Sequence, residues 1–560
     1  MQRLLGIVMV LSLPQLSNAI DTADVFHNSN SIFYVNPSFG EIKLKVKKGS
    51  VTDAQVIINS DSIKMEIWYR NGDFDYFAAR LNKFDTTATY HFILKNKEDS
   101  LIFPATDEFK PKVPLFTPPA WAFGKIYYSI FIDGFYNSVL TNDPEEKAIW
   151  GTEPENWLSY GGDLKGILRK IKYIDSLNPN IIILQPIFSA SSNHKFNPKD
   201  YASIDSCFGD TMDLKNLIDE IHKRDKKIIL SVIFTHTGID FPAFVDVVKK
   251  GEGSKYTEWY FIKSTPIKTS PPNYECWRSD YRFPKLNLRN PQVINYLIGF
   301  LEYWKHFGFD GFYIGEDKKI DADFILTLRS HLKTKYPDIL LLGSDGRFLN
   351  GNGFDGSPNR NLIDILIRYF VKNTITTSEF DNLLRKMFFF TPPQVNGMGL
   401  INLSDYNKRI LAEAEPSIRK NLYAFIFTCI GSPVILYGDE IGLSDYKPLN
   451  LGSFIWNKNN QNRDLLKEIR QLIEIRKTCT QLSSTTFFSL YMNDITKVYA
   501  YDRGGLIIVL NSGDKQSFIE LPAWDGLYLD IISGEKLTAY SQKLRLSINP
   551  KSYRILRREI

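Results

Sequence analysis

The strongest constraint on this chain is a change of period near residue 124. From there to about residue 445, short apolar runs alternate with longer amphipathic segments. Strands are expected near 126–132, 181–187, 227–234, 309–315, 339–343, 362–367, 399–403 and 433–437, with helical stretches such as 213–225 and 291–307 between them. Eight strands, each followed by a helix, predict an α/β fold, a (β/α)8 TIM barrel spanning 119–484. The stretch 237–290 reads as a subdomain inserted after the third strand. A doubly wound open sheet is the alternative, because periodicity alone does not close a barrel.

The flanks follow a different rule. Residues 30–110 alternate apolar and polar positions, as in Glu41-Ile42-Lys43-Leu44-Lys45-Val46, with turns such as Asn71-Gly72-Asp73. This predicts an N-terminal β-sandwich over 20–118, ended by the proline-rich link 111–119. Alternation returns at Lys497-Val498-Tyr499-Ala500-Tyr501, so 485–560 is expected to be a C-terminal β-domain. At the start, Arg3, the apolar run 4–13 and Ser17-Asn18-Ala19 read as a signal peptide over 1–19. That run is too short to span a bilayer. The expectation is an exported protein, periplasmic or extracellular, without a transmembrane segment.

Composition excludes some partners. Lys plus Arg total 68 and Asp plus Glu 63, a net charge of +5, and no basic run stands out, so nucleic acid is not expected. Four cysteines allow three disulfide pairings, and spacing does not choose among them. Cys429, in an apolar run, reads as a buried thiol. Gly351-Asn352-Gly353-Phe354-Asp355-Gly356 has dinucleotide-loop spacing, but Ser357-Pro358-Asn359 follows it and reads as a loop, not as the opening of a helix. No paired-cysteine zinc spacing, His-Glu-x-x-His or Gly-x-Ser-x-Gly occurs.

One series of segments is specific. In order along the chain stand Tyr127-Tyr128-Ser129-Ile130-Phe131-Ile132-Asp133, Gly161-Gly162-Asp163-Leu164, Ser192-Asn193-His194-Lys195, Phe208-Gly209-Asp210, Phe234-Thr235-His236, Tyr274-Glu275-Cys276-Trp277, Pro284-Lys285-Leu286-Asn287 and Tyr437-Gly438-Asp439-Glu440-Ile441-Gly442. Together they resemble the α-amylase family, glycoside hydrolase family 13, in its neopullulanase and cyclomaltodextrinase subgroup. The resemblance implies α-glucan oligosaccharides or polysaccharides as ligands, a starch-binding-like N-terminal module, and a homodimer as one open arrangement.

The same resemblance shows what is missing. A retaining glycosidase needs two carboxyl groups about 5–5.5 Å apart. Where the family has its Asp nucleophile this chain has Gly315, and where it has the acid/base Glu, Ser344. The third acid's position holds Tyr406, the usual Arg is Tyr313, and the third strand's Asp is Ser231. Thr235 replaces the calcium-linked Asn, so no cofactor is expected and calcium stays open. The usual Tyr-Asp pair after His-Lys is Phe196-Asn197. Glycine has no nucleophile, and a serine hydroxyl is too weak an acid for general acid work. No catalytic residue is therefore expected. If the protein is active, its acids are Glu316, Asp345 and Asp405, each one position away. One step along a strand turns a side chain to the other face, and a bulge would be needed at each site to undo it. The favoured reading of Glu316, Asp317 and Asp345 is solvated loop charge.

His236, Phe196, Asn197, Trp277 and Tyr313 are the expected substrate-binding residues. His236 could equally be a hydrogen-bonded wall residue, and Trp277 could equally pack within the inserted subdomain. Three readings follow. The leading one is a glycan-binding protein with a degenerate site. The others are an active hydrolase or transglycosylase using the shifted carboxylates, and a protein-interaction scaffold that binds no sugar.

Overall fold

The structure is a computed structural model. It describes residues 19–559 except 83, 114–115, 154–157, 316–319, 345, 347–352, 406–407, 445 and 448–449, with backbone only at 405, 408, 411–412, 446–447 and 450. The chain divides into two compact units, 1–115 and 116–560. The proposed signal peptide lies almost wholly outside the described residues.

In the first unit one antiparallel sheet of eight strands folds around a single core. The ten-residue strand Asp61–Arg70 serves both halves. Its early part pairs with Asp53–Ile58 and its later part with Phe74–Arg80, and the register shifts between Ile67 and Tyr69. The strict alternation of Glu41–Lys47 puts Ile42, Leu44 and Val46 into the core.

The second unit contains the barrel. Its strands are β1 (Tyr127–Ile130), β2 (Ile181–Leu184), β3 (Lys227–Ile233), β4 (Gly311–Gly315), β5 (Leu340–Gly343), β6 (Ser357–Pro358), β7 (Gly399–Ile401) and β8 (Ser432–Leu436). All pairings are parallel, in the order β5-β4-β3-β2-β1-β8-β7-β6. A further parallel bridge, Leu342 to Gly356, joins β5 to the start of β6 and closes the ring. β2, β3 and β5 are rich in Ile, Leu and Val because helices cover their outer face and side chains fill the inside. Among the described residues no helix is long and apolar enough to cross a membrane.

The sixth strand corrects the sequence reading. Residues 362–367 are helical: Arg360–Leu366 is an α-helix that continues into Ile367–Val371. Leu362, Ile365 and Leu366 are buried on one helical face, and the Asn359 side chain caps the start by accepting from Leu362 N (3.1 Å). A short apolar run does not tell strand from helix, and here the cap decides. The real strand is Ser357–Pro358, so Ser357-Pro358-Asn359 is strand and cap rather than loop.

Asp355 makes that short strand possible. It is buried, its backbone N donates to Leu341 O (2.7 Å), and its Oδ2 accepts from Leu341 N (2.9 Å). Arg329 (2.9 Å) and Lys333 (2.8 Å) neutralise it from the helix Ala322–Lys335. At Gly356 an added Cβ would lie 2.5 Å from Met398 O, so only glycine passes there.

The inserted stretch returns to the barrel. Thr237 N donates to Pro284 O (3.1 Å) and Leu286 N to Thr235 O (3.0 Å), which fastens the far end of the insertion to the end of β3. After the barrel, the strands Phe488–Asn493, Val498–Asp502, Leu506–Asn511, Gly526–Asp530, Lys536–Ala539 and Ser552–Glu559 form a six-stranded sheet. A separate ribbon, Ser517–Pro522 with Lys543–Ile548, covers it. All four cysteines are free thiols, and burial pushes the Cys429 thiol up to about 12.

Asp355→Ala removes the anion from between two cations and a strand amide. It should cost about 3–5 kcal/mol in urea unfolding, whereas Asp514→Ala, at an exposed pair with Lys551, should cost under about 1 kcal/mol. Equal losses would refute the role given to Asp355.

Candidate functional site

The C-terminal ends of the barrel strands surround a cleft of about 440 Å³. Pairing fixes which side chains enter it. β3 and β4 run in unbroken register, with Ser231 beside Tyr313 and Ile233 beside Gly315, and β4 continues into β5 with Ile314 beside Gly343. With a period of two, Ser231 and Ile233 face inward from β3, Tyr313 and Gly315 from β4, and Ser344 follows β5. Pro358 of β6 and Asn402 and Leu403 after β7 complete the rim.

Gly315 presents no side chain to the cleft and lies beside Ile233. A Cβ added there would lie 2.9 Å from Ile233 Cδ1, the mobile end of a neighbouring inward side chain. Among the described lining residues the only carboxylate is Asp364, which is exposed and 3.9 Å from Arg368. Glu316, Asp345 and Tyr406 lie outside the described residues, as does the Asp405 side chain. β4 shows no bulge up to Gly315.

One wall is aromatic. The hairpin Phe188–Ala190 and Pro198–Ile204 follows β2 and carries His194, Lys195, Phe196 and Asn197 in its turn. Lys195 has a left-handed backbone (φ 62°), and its ammonium is buried on Asp205 (2.7 Å). Phe196 lines the cleft. Asn197 does not. It is buried behind the wall, its carbonyl accepting from Ser192 and its amide donating to Ser191 Oγ (2.8 Å), where it braces the turn.

His236 lines the cleft while almost wholly buried, with Nδ1 3.0 Å from Thr235 Oγ1. Trp277 stacks on it, ring centroids 4.9 Å apart and planes 20° apart, and the Arg278 guanidinium lies 4.4 Å from the indole centroid. Arg278 (φ 51°) and Ser279 (φ 61°) are both left-handed, a costly conformation for residues other than glycine. His236 is thus a packed wall residue that also reaches the cavity, and Trp277 packs within the insertion while presenting an edge to the cleft. Thr235 commits its hydroxyl to His236, and among the described residues no three His, Cys, Asp or Glu side chains gather around a point.

Burial sets the charge states. His236 and His194 are both pushed down to about 3, first by desolvation and then by neighbouring cations, among them Arg278. Elsewhere in the barrel Asp133 is raised to about 6 by burial, although Tyr160 N and Gly161 N donate to it. Burial raises Glu440 to about 7, with Tyr128 and Tyr173 donating to one oxygen (2.8 and 2.9 Å).

Sequence reasoning missed Arg278, Arg360 and Asn402. Arg360 donates to Ser344 O (3.4 Å) and lines the cleft because it follows β6, whose misplacement hid it. Asn402 stands directly after β7, so its position at a strand end was a usable signal.

Comparison with known proteins settles the family. The family model for the α-amylase catalytic domain matches residues 126–339, and that for the α-amylase N-terminal Ig-like domain matches residues 20–121. A cyclomaltodextrinase of Geobacillus thermopakistaniensis is 30% identical over 91% of this chain and 95% of its own length. The chain belongs to the α-amylase family, glycoside hydrolase family 13. Neopullulanase 2 of Thermoactinomyces vulgaris is 30% identical over 95% of this chain and 98% of its own length. Among solved structures, a cyclomaltodextrinase superposes with a TM-score of 0.85 at 26% identity, covering 96% of this chain and all (100%) of its own. The α-amylase catalytic-domain match ends at residue 339, before Ser344 and the β6 closure.

The two buried imidazoles predict an acid sensitivity with a definite sign. Unfolded, each titrates near the ordinary imidazole value of about 6.5, and folded each stays neutral to about 3. Their contribution to stability is complete above about 6.5 and is lost as pH falls toward 3, because only the unfolded chain takes up the protons. His236→Gln should reduce proton uptake on unfolding at pH 5 by about one, read as a shallower dependence of Tm on pH between 7.5 and 5. Superimposable slopes would contradict the burial argument.

Proposed function

We propose that this chain is an α-glucan-binding member of the α-amylase family that no longer cleaves its ligand. The observation that carries the reading is the inward row at the barrel mouth: Gly315 and Ser344 at the nucleophile and acid/base positions, with Ile233 packed where the nucleophile's carbon would begin. Losing a nucleophile alone costs on the order of 10⁴-fold or more. The wall of Phe196, His236, Trp277 and Tyr313, with hydroxyl, amide and guanidinium groups from Ser231, Ser344, Asn402, Arg278 and Arg360, retains what a sugar needs for binding. The names of the relatives, cyclomaltodextrinase and neopullulanase, support an α-glucan as the ligand. Export belongs to the same proposal and rests on Arg3, the apolar run 4–13 and Ser17-Asn18-Ala19.

The purified protein should release no reducing sugar from maltooligosaccharides, cyclodextrins or pullulan, while calorimetry with maltotetraose gives a saturable heat. Gly315→Asp with Ser344→Glu, Tyr406→Asp and Ile233→Val, the last to make room, should restore measurable turnover. Hydrolysis by the unaltered protein, abolished by Asp345→Asn, would overturn the proposal in favour of shifted acids. Absence of both heat and hydrolysis would favour a scaffold that binds no sugar.

A further inference from the structure

The C-terminal domain carries a second surface that suits a sugar chain. In the ribbon Ser517–Pro522 with Lys543–Ile548, Glu520 pairs with Arg545 and Pro522 with Lys543. Alternate residues Ile519, Leu521, Leu544, Leu546 and Ile548 enter the domain core. The opposite row points to solvent. Phe518 is 81% exposed, and continuing the same alternation past the strand end, Trp524 is 72% exposed. At the strand rise of about 3.3 Å per residue the α-carbons of Phe518 and Trp524 lie at most roughly 20 Å apart.

A third ring belongs to the adjoining turn. Tyr540, 80% exposed, opens a two-residue hairpin turn whose central residues Ser541 (φ 54°) and Gln542 (φ 60°) are both left-handed. That turn ordinarily takes Asn-Gly. It is tied to the Trp524 turn by Ala523 N donating to Gln542 O (3.0 Å) and Gln542 N donating to the Asp525 carboxylate (2.5 Å). Among the described residues none of the three rings packs on another ring or under a cation.

Between the rings the surface is charged, with Glu520 holding Lys543 (2.6 Å) and Arg545 (2.9 Å). Charged groups are depleted from the cores of protein interfaces, and three separated rings are not one contiguous apolar patch. Exposed rings stand at both ends of a row of donors and acceptors, Phe518 at one and Trp524 and Tyr540 at the other. This arrangement complements a polymer whose units each have an apolar C–H face and a rim of hydroxyls. We propose that Phe518, Trp524 and Tyr540 form a second α-glucan-binding site, separate from the barrel cleft, that engages long chains. The choice of α-glucan rests on the function proposed above.

The test uses the full-length protein in two assays. Native gels containing soluble starch report long-chain binding. Maltotetraose calorimetry reports the cleft, as the part of the heat that Ser344→Trp removes. Trp524→Ala with Tyr540→Ala, at exposed positions that leave folding intact, should weaken retardation by starch about ten-fold and leave the cleft heat unchanged. Phe518→Ala should weaken it to a smaller degree. Unchanged retardation in the double variant would overturn the proposal while leaving the cleft reading standing. Retardation lost in the double variant, with no cleft heat in the unaltered protein, would support the ribbon site and refute the cleft. Failure of the unaltered protein to bind either sugar would overturn both.

Discussion

The unbroken parallel register of β3, β4 and β5 decides what this protein can do. Each strand contributes alternate side chains to the barrel mouth, and neighbouring strands are locked by backbone pairs such as Ser231–Tyr313, Ile233–Gly315 and Ile314–Gly343. A side chain enters the cleft only if its parity is right. The residue types at those positions therefore determine the chemistry available, and acidic residues one step along the chain do not substitute for them by proximity alone. Gly315 offers no side chain there, and a Cβ added to it would lie 2.9 Å from Ile233 Cδ1.

The scaffold around this altered mouth is held by buried charges that serve backbone rather than substrate. Asp355 joins β5 to β6. Arg409 is wholly buried, pairing with Asp439 (2.7 Å) and donating to Tyr437 O (3.0 Å) just after β8. Arg476 donates to Phe427 O (2.8 Å) and Cys429 O (3.2 Å), and Arg503 donates to Thr428 O, so two guanidiniums meet the carbonyl end of helix Pro416–Thr428. Cations at that end satisfy orphan carbonyls and complement the helix dipole. Arg503 also donates to Ser484 O (2.6 Å) and Thr486 O (2.6 Å), which fastens the C-terminal sheet to the barrel. None of these contacts involves Gly315 or Ser344.

What the sequence revealed follows from the same physics. Runs such as Ile181-Ile182-Ile183-Leu184 announce strands buried on both faces, and seven barrel strands were legible in this way. β6 was not, because Ser357–Pro358 has no apolar run to announce it. Its signals are a glycine that must pass a carbonyl and an aspartate paired from another helix, both visible only in three dimensions. The apolar residues just beyond it belong to a helix and drew the assignment one element downstream. For Gly315, Ser344 and Tyr406, the resemblance to the family supplied the expectation that they stand at its catalytic positions. Arg278 and Arg360 were not legible, since nothing in their local sequence shows that an insertion and a misread strand bring them to the same cavity.

Binding without cleavage changes what a site must optimise. A hydrolase strengthens contacts to a distorted transition state, and interactions made equally to substrate add nothing to its rate once substrate saturates. On the proposed reading that requirement is absent, and contact with the undistorted chain becomes the useful quantity. A cleft lined by aromatic and apolar side chains with scattered donors serves this end, and so does a strip of exposed rings on another domain. A glucan long enough to occupy both would meet the second site at high effective concentration after the first, while a short oligosaccharide would not. The proposed reading is then physically coherent with the retention of three structured parts, because affinity for a polymer grows with the number of places that hold it.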